Sequence, residues 1–578
     1  MGLNWKLKEA LAARLAREKG YYLHPAGGRT RFALAYPNSY YVGMSNLGFH
    51  IVYDVLNRRA DTACERFFLP ERREFDEYER TRTPLLSMET QTPLSEFAIV
   101  GFAVSFEMDY FHLLEMLETG RVPLLAAERD EKAPFVIAGG PCATFNPEPL
   151  SPFVDAFIIG EGEETVGRFM DAYHAAKDAG ATREETLRLL SRVPGVYVPS
   201  LYEHIYNDSG ELEEIRPIGD TPTRVERQWV KNLDDYPAHT VVVTDETEFD
   251  MYLVETARGC GRHCRFCMAG YCFRRPRNRS LSVLKDAVKA AKVYEKRIGL
   301  MGAAISDHPE IDALSEYILS ENMTMSVASF RADSVTETLV RSLAESGMKT
   351  ITLAPEAGSV KMRAVVNKGI EEEHLFHVMD LGMAAGIRHY RLYIMIGLPQ
   401  ETEEDVDAIA ELTERLKDYL ERHDSRSTLK LSVNPFIPKP FTPFQWTAMA
   451  DKKYIEAALK RLKKSLSSRK GVELIAEPPK SAYIQAVLAR GDRRVGAALY
   501  RAHEMGGAKA FLRAMKAEGL EEAYYIFREY GAQDVLPWDV LDMGVKKEYL
   551  YAEWKRAERL ETTIPCFDGC RRCGVCGD

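Results

Sequence analysis

Residues 255–272 read ETARGCGRHCRFCMAGYC, and this stretch decides how the chain is interpreted. It follows MYLVE, a short apolar run typical of a strand, and it contains Cys260, Cys264 and Cys267 in a C-x3-C-x2-C spacing. Three thiolates on one loop can hold three irons of a 4Fe–4S cluster and leave the fourth iron open to a substrate. A structural zinc site would need a fourth protein ligand, for which Cys272 and His263 are the candidates. The spacing favours the iron–sulfur cluster.

Strand-like runs and helical patterns alternate downstream of these cysteines. The runs are RIGLMGAA, TMSVASF, TITLAPEAG, HYRLYIMIGLP and LKLSVNPFIP, with helical stretches such as SVLKDAVKAAKVYEK between them. Repeated βα units predict parallel strands, and together with MYLVE they make six units, fewer than a full TIM barrel has. Residues 251–450 are therefore predicted to form a partial, TIM-like (β/α)6 barrel.

The rest of the chain divides into three parts. Residues 1–195 alternate strands (RFALAYP, FAIVGFAVS, PFVIAGG, DAFIIGEG) with helices, which predicts an α/β domain with a doubly wound, Rossmann-like parallel sheet. Residues 196–250 are interpreted as a connector with two strands around an Asn-Asp-Ser-Gly turn. Residues 451–578 turn helical, as in YIEAALKRLKKSL, and end in a Cys-rich tail.

Composition excludes several classes of protein. The chain has 578 residues and a net charge of -10, which argues against a protein coated in nucleic acid. Eight of its ten cysteines fall in two short segments, whereas a secreted disulfide scaffold would spread them through a small domain. No apolar run is long enough to cross a membrane. We therefore expect a cytoplasmic protein with no membrane partner.

The first cysteine segment resembles the radical S-adenosylmethionine (radical SAM) superfamily, whose motif has an aromatic residue before the third Cys, here Phe266. The resemblance implies a 4Fe–4S cluster that reductively cleaves S-adenosylmethionine to a 5′-deoxyadenosyl radical. It implies S-adenosylmethionine contacts at the strand ends for Phe266, Gly302, Ala303, Arg331, Glu356, Ser359, Ile396 and Gly397. The Glu that the family usually has near Gly302 is absent. No catalytic residue is assigned beyond the cluster.

The first domain resembles the cobalamin-binding domains that precede radical SAM domains. IAGGPCATFNPEPL and DAFIIGEGEE carry the likeness, which implies cobalamin contacts for Ser105, Gly139 and Gly140. Cobalt-ligating domains carry Asp-x-His-x-x-Gly after the first strand, where this chain has Asn38, Tyr40 and Gly43 in the equivalent places. Since Tyr40 replaces the His, either cobalamin binds without a lower His ligand or the domain keeps only the fold.

The chain ends in a second cysteine segment. Cys566, Cys570, Cys573 and Cys576 are spaced C-x3-C-x2-C-x2-C, as in a ferredoxin-like run. They predict an auxiliary 4Fe–4S cluster or a zinc site. The whole chain resembles a bacterial family of cobalamin-type radical SAM proteins with such a tail, and segments such as GMSNLG and NPFIPKPFTPFQW carry that likeness.

Two basic stretches suggest an anionic substrate. Residues 258–279 hold seven arginines and no acid, and residues 452–470 hold eight basic residues against Glu456. Solvated or ion-paired positions explain such stretches equally, and RNA binding through Arg274 and Arg275 is a hypothesis. His308 lies at the predicted barrel mouth, where a structural loop role is its alternative.

Three functions remain open on this sequence. The first is modification of an unreactive carbon, with cobalamin-assisted methyl transfer as its commonest form. The second is sulfur insertion (methylthiolation) with the terminal cluster as sulfur donor. The third is a non-catalytic iron–sulfur protein that binds RNA. The first two require S-adenosylmethionine and an electron donor such as flavodoxin or ferredoxin.

Overall fold

The structure is a computed structural model, and it describes residues 4–25 and 27–576. The strands are β1 (Thr30–Tyr36), β2 (Thr62–Phe68), β3 (Ile99–Ala103), β4 (Phe135–Gly139), β5 (Ala156–Ile158), β6 (Val196–Tyr197), β7 (Tyr202–Tyr206), β8 (Leu212–Pro217), β9 (Val225–Glu226), β10 (Met251–Glu255), β11 (Ala257–Arg258), β12 (Arg277–Asn278), β13 (Arg297–Met301), β14 (Met325–Ser326), β15 (Thr350–Glu356), β16 (His389–Ile396), β17 (Thr428–Pro435), β18 (Val472–Ala476) and β19 (Leu541–Asp542).

The α-helices connect and cover these strands. They are α1 (Trp5–Leu15), α2 (Tyr40–Gly43), α3 (Leu47–Asn57), α4 (Arg72–Thr81), α5 (Asp109–Thr119), α6 (Pro141–Phe145), α7 (Gly162–Asp178), α8 (Arg183–Leu190), α9 (Leu281–Lys292), α10 (Ile311–Ser320), α11 (Glu337–Glu345), α12 (Val360–Val365), α13 (Glu372–Ala384), α14 (Glu403–His423), α15 (Lys452–Leu466), α16 (Pro479–Arg490), α17 (Val495–Glu504), α18 (Phe511–Ala517), α19 (Glu522–Ile526) and α20 (Lys547–Glu558). No helix in the described residues is long and apolar enough to cross a membrane.

The first sheet has the strand order β2-β1-β3-β4-β5-β6. Strands β1 to β5 run parallel, as predicted, and β6 is antiparallel to β5. The chain leaves β1 on one side to form β2 and returns on the other side as β3. This reversal is the topological switch point, where doubly wound sheets form a crevice at the carboxyl ends of the strands.

The barrel part has seven parallel strands rather than the six predicted. One sheet has the order β10-β13-β14 and the other β15-β16-β17-β18, and a bridge between Phe330 and Leu353 joins them. β18 pairs with β17 and lies beyond the predicted boundary at residue 450. Its sequence, VELIA, is short and follows a long amphipathic helix, so strand periodicity alone did not reveal it.

The C-terminal helices do not form a separate domain core. The predicted hairpin of β7 and β8 is present, and β9 from the connector pairs in parallel with β19 near the C-terminus. Helices α16 to α19 share one apolar core with the first sheet, where Phe511 meets Phe111 at a ring distance of 5.4 Å. The C-terminal part therefore returns to the first domain after the barrel is complete, a long-range contact that local sequence patterns cannot report.

Candidate functional site

The segment between β11 and β12, residues 259–276, is the Cys loop. The two-residue antiparallel ladder of β11 and β12 closes its base. Gly259 begins it at a φ of 78°, and a Cβ there would lie 2.1 Å from the Phe273 carbonyl oxygen, so only glycine fits. Arg265 is fully buried and donates to the carbonyls of Ala364, Val365 and Glu561, which fixes the loop against α12 and the C-terminal segment.

The three cysteines of the motif lie together on this loop. All cysteines are free thiols, and no three His, Cys, Asp or Glu side chains among residues 4–25 and 27–576 form a group that could hold a single metal ion. Burial, with Cys264 and Cys260 nearby, raises the pKa of Cys267 to about 11. Arg331 Nη1 lies 3.8 Å from Cys264 Sγ. Buried thiols beside a guanidinium fit an anionic iron–sulfur cluster.

Cys272, the alternative fourth ligand, is also on the Cys loop. Its side chain is fully buried in the apolar core shared with the first domain and interacts electrostatically with Arg227 and Cys267.

Arg331 faces Cys264, and both Arg331 and Glu356 are already paired. Arg331 donates from Nε and Nη2 to Asp333 and from Nη2 to the carbonyl of Lys368. Glu356 accepts from Lys368 Nζ at 2.9 Å and has a φ of 67°, a strained value for a residue with a side chain. Lys368 Nζ also lies 5.8 Å from the centre of the Phe266 ring. Sequence reasoning missed Lys368 because it follows α12 and ends no strand.

Gly302 and Ala303 leave backbone exposed at the end of β13. Both are exposed, and a Cβ on Gly302 would lie 3.0 Å from Thr256 Oγ1, beside the start of the Cys loop. Their position fits the expected contact with the methionine part of S-adenosylmethionine, which needs small residues so that a ligand can reach main-chain groups.

The structure gives Ser359, Ile396 and Gly397 packing or capping roles. Ser359 caps α12, since its hydroxyl accepts from the Met362 amide and donates to Asp405. Ile396 is fully buried in the barrel core. Gly397 has a φ of 75°, and a Cβ there would lie 2.4 Å from Ile455. These three residues therefore offer no free side-chain group for the expected contacts with ribose and adenine, which would have to use main-chain groups.

Glu401, which sequence reasoning also missed, follows β16 beside these residues. Its carboxylate accepts from the Gly397 amide at 2.7 Å and from the Tyr454 hydroxyl at 3.0 Å. Burial raises its pKa to about 7. The sequence signal that could have identified Glu401 was its position four residues after Gly397.

A cavity of about 330 Å³ lies at the carboxyl edge of the first sheet, at its switch point. Ser105, Gly139 and Gly140, for which the resemblance implies cobalamin contacts, line it. Gly140 has a φ of 97°, and a Cβ there would lie 2.7 Å from the Val104 carbonyl oxygen, so the backbone conformation requires glycine. The opposite wall belongs to the barrel part and consists of Glu255, Arg258 and Phe273.

Asn38, Tyr40 and Gly43 do not line this cavity. Asn38 donates to Asp109, and Tyr40 is buried and donates to Glu18, against the ring of Phe68. A Cβ on Gly43 would lie 2.6 Å from the same Phe68 ring. Tyr40 and Gly43 thus pack against Phe68 of β2, whereas the neighbouring Asn46 lines the cavity and donates to Ser105 Oγ at 3.2 Å. Their predicted cobalamin contacts are therefore not supported.

The four terminal cysteines, residues 566–576, form the Cys tail. Cys570 and Cys573 are buried, and Cys566 interacts electrostatically with the other three thiols. The tail lies against the Cys loop: the Cys566 amide donates to the Gly261 carbonyl at 2.8 Å. The two cysteine segments, far apart in sequence, are thus direct neighbours.

Most arginines of the basic stretch have internal partners. Arg258 pairs with Glu255, Glu161 and Glu163, and Arg277 pairs with Glu161. Three more arginines of this stretch form ion pairs: Arg262 with Asp307 and Asp333, Arg265 with Glu553, and Arg279 with Glu255. Arg274 is fully buried, so the predicted RNA contact through it is wrong, whereas Arg275 is exposed.

The second basic stretch and His308 are also partly structural. In α15, Arg461 pairs with Glu403 and Asp407 of the neighbouring α14, while Lys460, Lys463 and Lys464 are exposed. His308 is buried and contacts the carbonyl of Arg279 and the amide of Glu310, as the structural interpretation predicts.

Comparison with known proteins gives the class. The family model for the N-terminal region of radical SAM proteins matches residues 48–199, and the radical SAM superfamily model matches residues 254–413. An uncharacterized protein of Methanocaldococcus jannaschii, MJ0966, is 30% identical over 472 residues, which cover 80% of this chain and 89% of that protein.

One solved structure shows a similar fold. TsrM of Kitasatospora setae, a radical S-adenosylmethionine methyltransferase with cobalamin and a [4Fe-4S] cluster bound, matches with a TM-score of 0.54 at 13% identity, covering 85% of this chain and 100% of TsrM. The cobalamin-dependent S-adenosylmethionine radical enzyme OxsB matches with a TM-score of 0.46 at 14% identity, covering 92% of this chain and 80% of OxsB. The chain belongs to the radical SAM superfamily, and this membership implies a 4Fe–4S cluster and S-adenosylmethionine.

Proposed function

We propose that the protein is a cobalamin-assisted radical SAM methyltransferase that acts on an unreactive carbon. One observation carries the proposal: the lining of the cavity at the switch point of the first sheet includes Glu255 and Arg258, which end β10 and β11 just before the Cys loop, and Phe273 within that loop. A cofactor in this cavity would therefore sit beside the barrel mouth. Such an arrangement suits a reaction that uses both cofactors on one substrate.

When bound, the loop cluster supplies the electron that cleaves S-adenosylmethionine, and cobalamin carries the transferred methyl group. The residues of the chain position and neutralise these groups. Arg331 and Lys368 place two cations beside Cys264, where they offset the negative charge of a cluster and can meet the methionine carboxylate. Gly302 and Ala303 expose the backbone for the methionine amino group.

The cavity fits a corrin that has no lower ligand from the protein. Within the described residues, its lining contains no His, Cys or Met side chain. Gly139, Gly140 and Gly160 keep its walls close to the main chain. Of the two alternatives that the sequence left open, cobalamin binding without a lower His ligand is the one we propose, because the cavity exists at the expected sheet edge.

The residues of the site do not define one class of substrate. The internal ion pairs of the loop arginines weaken the RNA hypothesis and leave Arg275 and the exposed lysines of α15 as its basis. For sulfur insertion, the Cys tail would have to reach the substrate; the tail lies against the Cys loop, and none of its described residues lines the cavity that we assign to cobalamin. The electron donor is proposed to be a flavodoxin or ferredoxin.

The test is anaerobic reconstitution with iron, sulfide and hydroxocobalamin, followed by dithionite, S-adenosylmethionine and an assay for 5′-deoxyadenosine. We expect product from the wild type and from Cys272→Ala, and none from Cys264→Ala. Gly139→Leu adds a side chain at the cavity wall, where a Cβ has no neighbour closer than Ile158 at 3.7 Å, and should abolish corrin retention on gel filtration.

Two results would contradict the proposal separately. A wild-type protein with a full loop cluster that makes no 5′-deoxyadenosine excludes the radical reaction. A wild-type protein that forms 5′-deoxyadenosine but retains no corrin excludes cobalamin-assisted methyl transfer and leaves a radical enzyme of another kind.

A further inference from the structure

His263 lies between the Cys loop and the Cys tail and contacts both. It precedes Cys264 in the loop and is almost fully buried. Its Nε2 atom is 3.5 Å from Cys566 Sγ, and its Nδ1 atom is 2.8 Å from the Tyr549 hydroxyl. Because Tyr549 can donate its hydroxyl proton to Nδ1, we assign the ring proton to Nε2, which then points at the tail sulfur.

A set of hydrogen bonds holds this contact in place. The Cys566 amide donates to the Gly261 carbonyl at 2.8 Å. Asn367 donates from Nδ2 to the carbonyls of His263 and Thr563, each at 3.0 Å, and accepts from the Thr563 amide at 2.9 Å. Asn367 therefore clamps the segment before the tail to the loop residue next to Cys264, so the His263–Cys566 contact is part of the fold.

The surroundings of the tail fit an anionic metal cluster. Arg274 is fully buried beside Cys566 and Cys573, and its Nε and Nη1 atoms have no hydrogen-bond partner within the described part of the chain. Arg572 donates from Nε to Cys570 Sγ at 3.2 Å. Buried N–H groups without acceptors are costly, and the sulfurs of a cluster with four thiolate ligands would supply acceptors and negative charge.

We infer that the Cys tail holds a 4Fe–4S cluster and that His263 is the residue through which it passes one electron to the cluster of the Cys loop. This inference rests on the proposed radical SAM function. In the step, the tail cluster is oxidised by one electron, the loop cluster is reduced by one, and no proton moves. A low-potential one-electron donor protein of the flavodoxin class re-reduces the tail, beside which Ile564 and Phe567 are exposed to solvent.

The experiment uses the full-length, reconstituted protein in five forms: wild type, His263→Phe, His263→Gln, Cys570→Ser/Cys573→Ser and the matched control His503→Phe. Iron and zinc are counted, both clusters are titrated by EPR, and stopped-flow absorbance follows reduction of the loop cluster by reduced flavodoxin. We expect loop reduction to slow by about tenfold or more in His263→Phe, and less in His263→Gln, which keeps an N–H donor.

The midpoint potential gives a second readout that a merely structural role would not move. Loss of the N–H···S hydrogen bond should shift the potential of the tail cluster to more negative values in His263→Phe and leave it unchanged in His503→Phe. The double cysteine variant, which alters no loop residue, should lose the tail cluster and the fast reduction. If His263→Phe does not fold, His263→Gln and the double variant carry the test.

Three results would overturn the inference: zinc or no metal in the wild-type tail, wild-type reduction rates in the double cysteine variant, or unchanged rates and potentials in a folded His263→Phe protein. The proposed function is read separately, from 5′-deoxyadenosine formed with dithionite. Its absence in the wild type contradicts that function, whatever the electron route. Product formed by His263→Phe with dithionite, together with slow reduction by flavodoxin, supports both.

Discussion

The Cys loop and the Cys tail share the spacing C-x3-C-x2-C, yet the molecule holds them in different ways. The loop starts and ends in the β11–β12 ladder, directly after a barrel strand. The tail has no regular secondary structure in residues 561–576 and is held by hydrogen bonds to the loop and by the carbonyl of Cys573, which accepts from the Lys546 amide. The loop is thus built into the barrel, while the position of the tail depends on the loop.

The difference in ligand number gives the two segments different chemistry. Three cysteines leave an iron open for a substrate, whereas the fourth cysteine of the tail, Cys576, closes the ligand set. The charged residues beside the two sets of cysteines also differ. Arg331 and Lys368 lie beside Cys264 of the loop, whereas Arg274 of the Cys loop and Arg572 of the tail itself lie beside the tail cysteines. One spacing therefore serves a reactive site and, by our inference, an electron-transfer site.

Removing the anchor of the loop should have the largest effect on stability. Arg265 and Glu553 form a fully buried ion pair. Arg265→Met removes this partner from Glu553, which keeps Arg556 and Thr563, and leaves three carbonyls without their donor, those of Ala364, Val365 and Glu561. We expect a loss of about 3–5 kcal/mol in the free energy of unfolding. Arg461→Met, which breaks an exposed ion pair of α15, should cost about 0–1 kcal/mol. Urea denaturation measures both, and equal losses would show that the loop is not anchored through this pair.

Releasing the tail from the loop should have an intermediate effect. Asn367→Asp keeps a residue that tolerates its φ of 51° but removes both donors to His263 and Thr563. We expect a cost of about 1–3 kcal/mol and faster proteolytic removal of the tail, with the barrel intact. Asn207→Asp in the exposed β7–β8 turn is the control. Unchanged tail proteolysis would mean that other contacts hold the tail.

The last prediction concerns the pH dependence of stability at the barrel mouth, away from the tail. The pKa of Glu401 is raised by burial from its ordinary value of 4.5 to about 7. Its protonation therefore stabilises the fold below pH 4.5, and this contribution is lost as the pH rises towards 7. Glu401→Gln should remove this dependence of the free energy of unfolding on pH between these values, as thermal unfolding at several pH values would show. A wild-type slope in the variant would assign the dependence to another group.

Much of the fold was predictable because it follows from local patterns. Alternating apolar strands and amphipathic helices predicted both parallel sheets, and the Asn-Asp-Ser-Gly turn predicted the β7–β8 hairpin. The strand-end rule also placed Ser105, Gly139 and Gly140 at the cavity and Arg331 beside Cys264. It failed for Tyr40, because the helix after β1 turns that side chain towards Glu18, and for Lys368, which follows a helix.

By itself, the sequence determined the class of this protein, because three closely spaced cysteines after a strand already indicate iron–sulfur chemistry. Local patterns also gave the order of strands and helices around them. Only the tertiary structure decided which distant groups meet. It returned the C-terminal helices to the first domain, paired the loop arginines with acids and brought Cys566 to His263. The physical reason is that spacing constrains neighbours along the chain, whereas contacts between segments hundreds of residues apart depend on burial and hydrogen bonding across the whole fold.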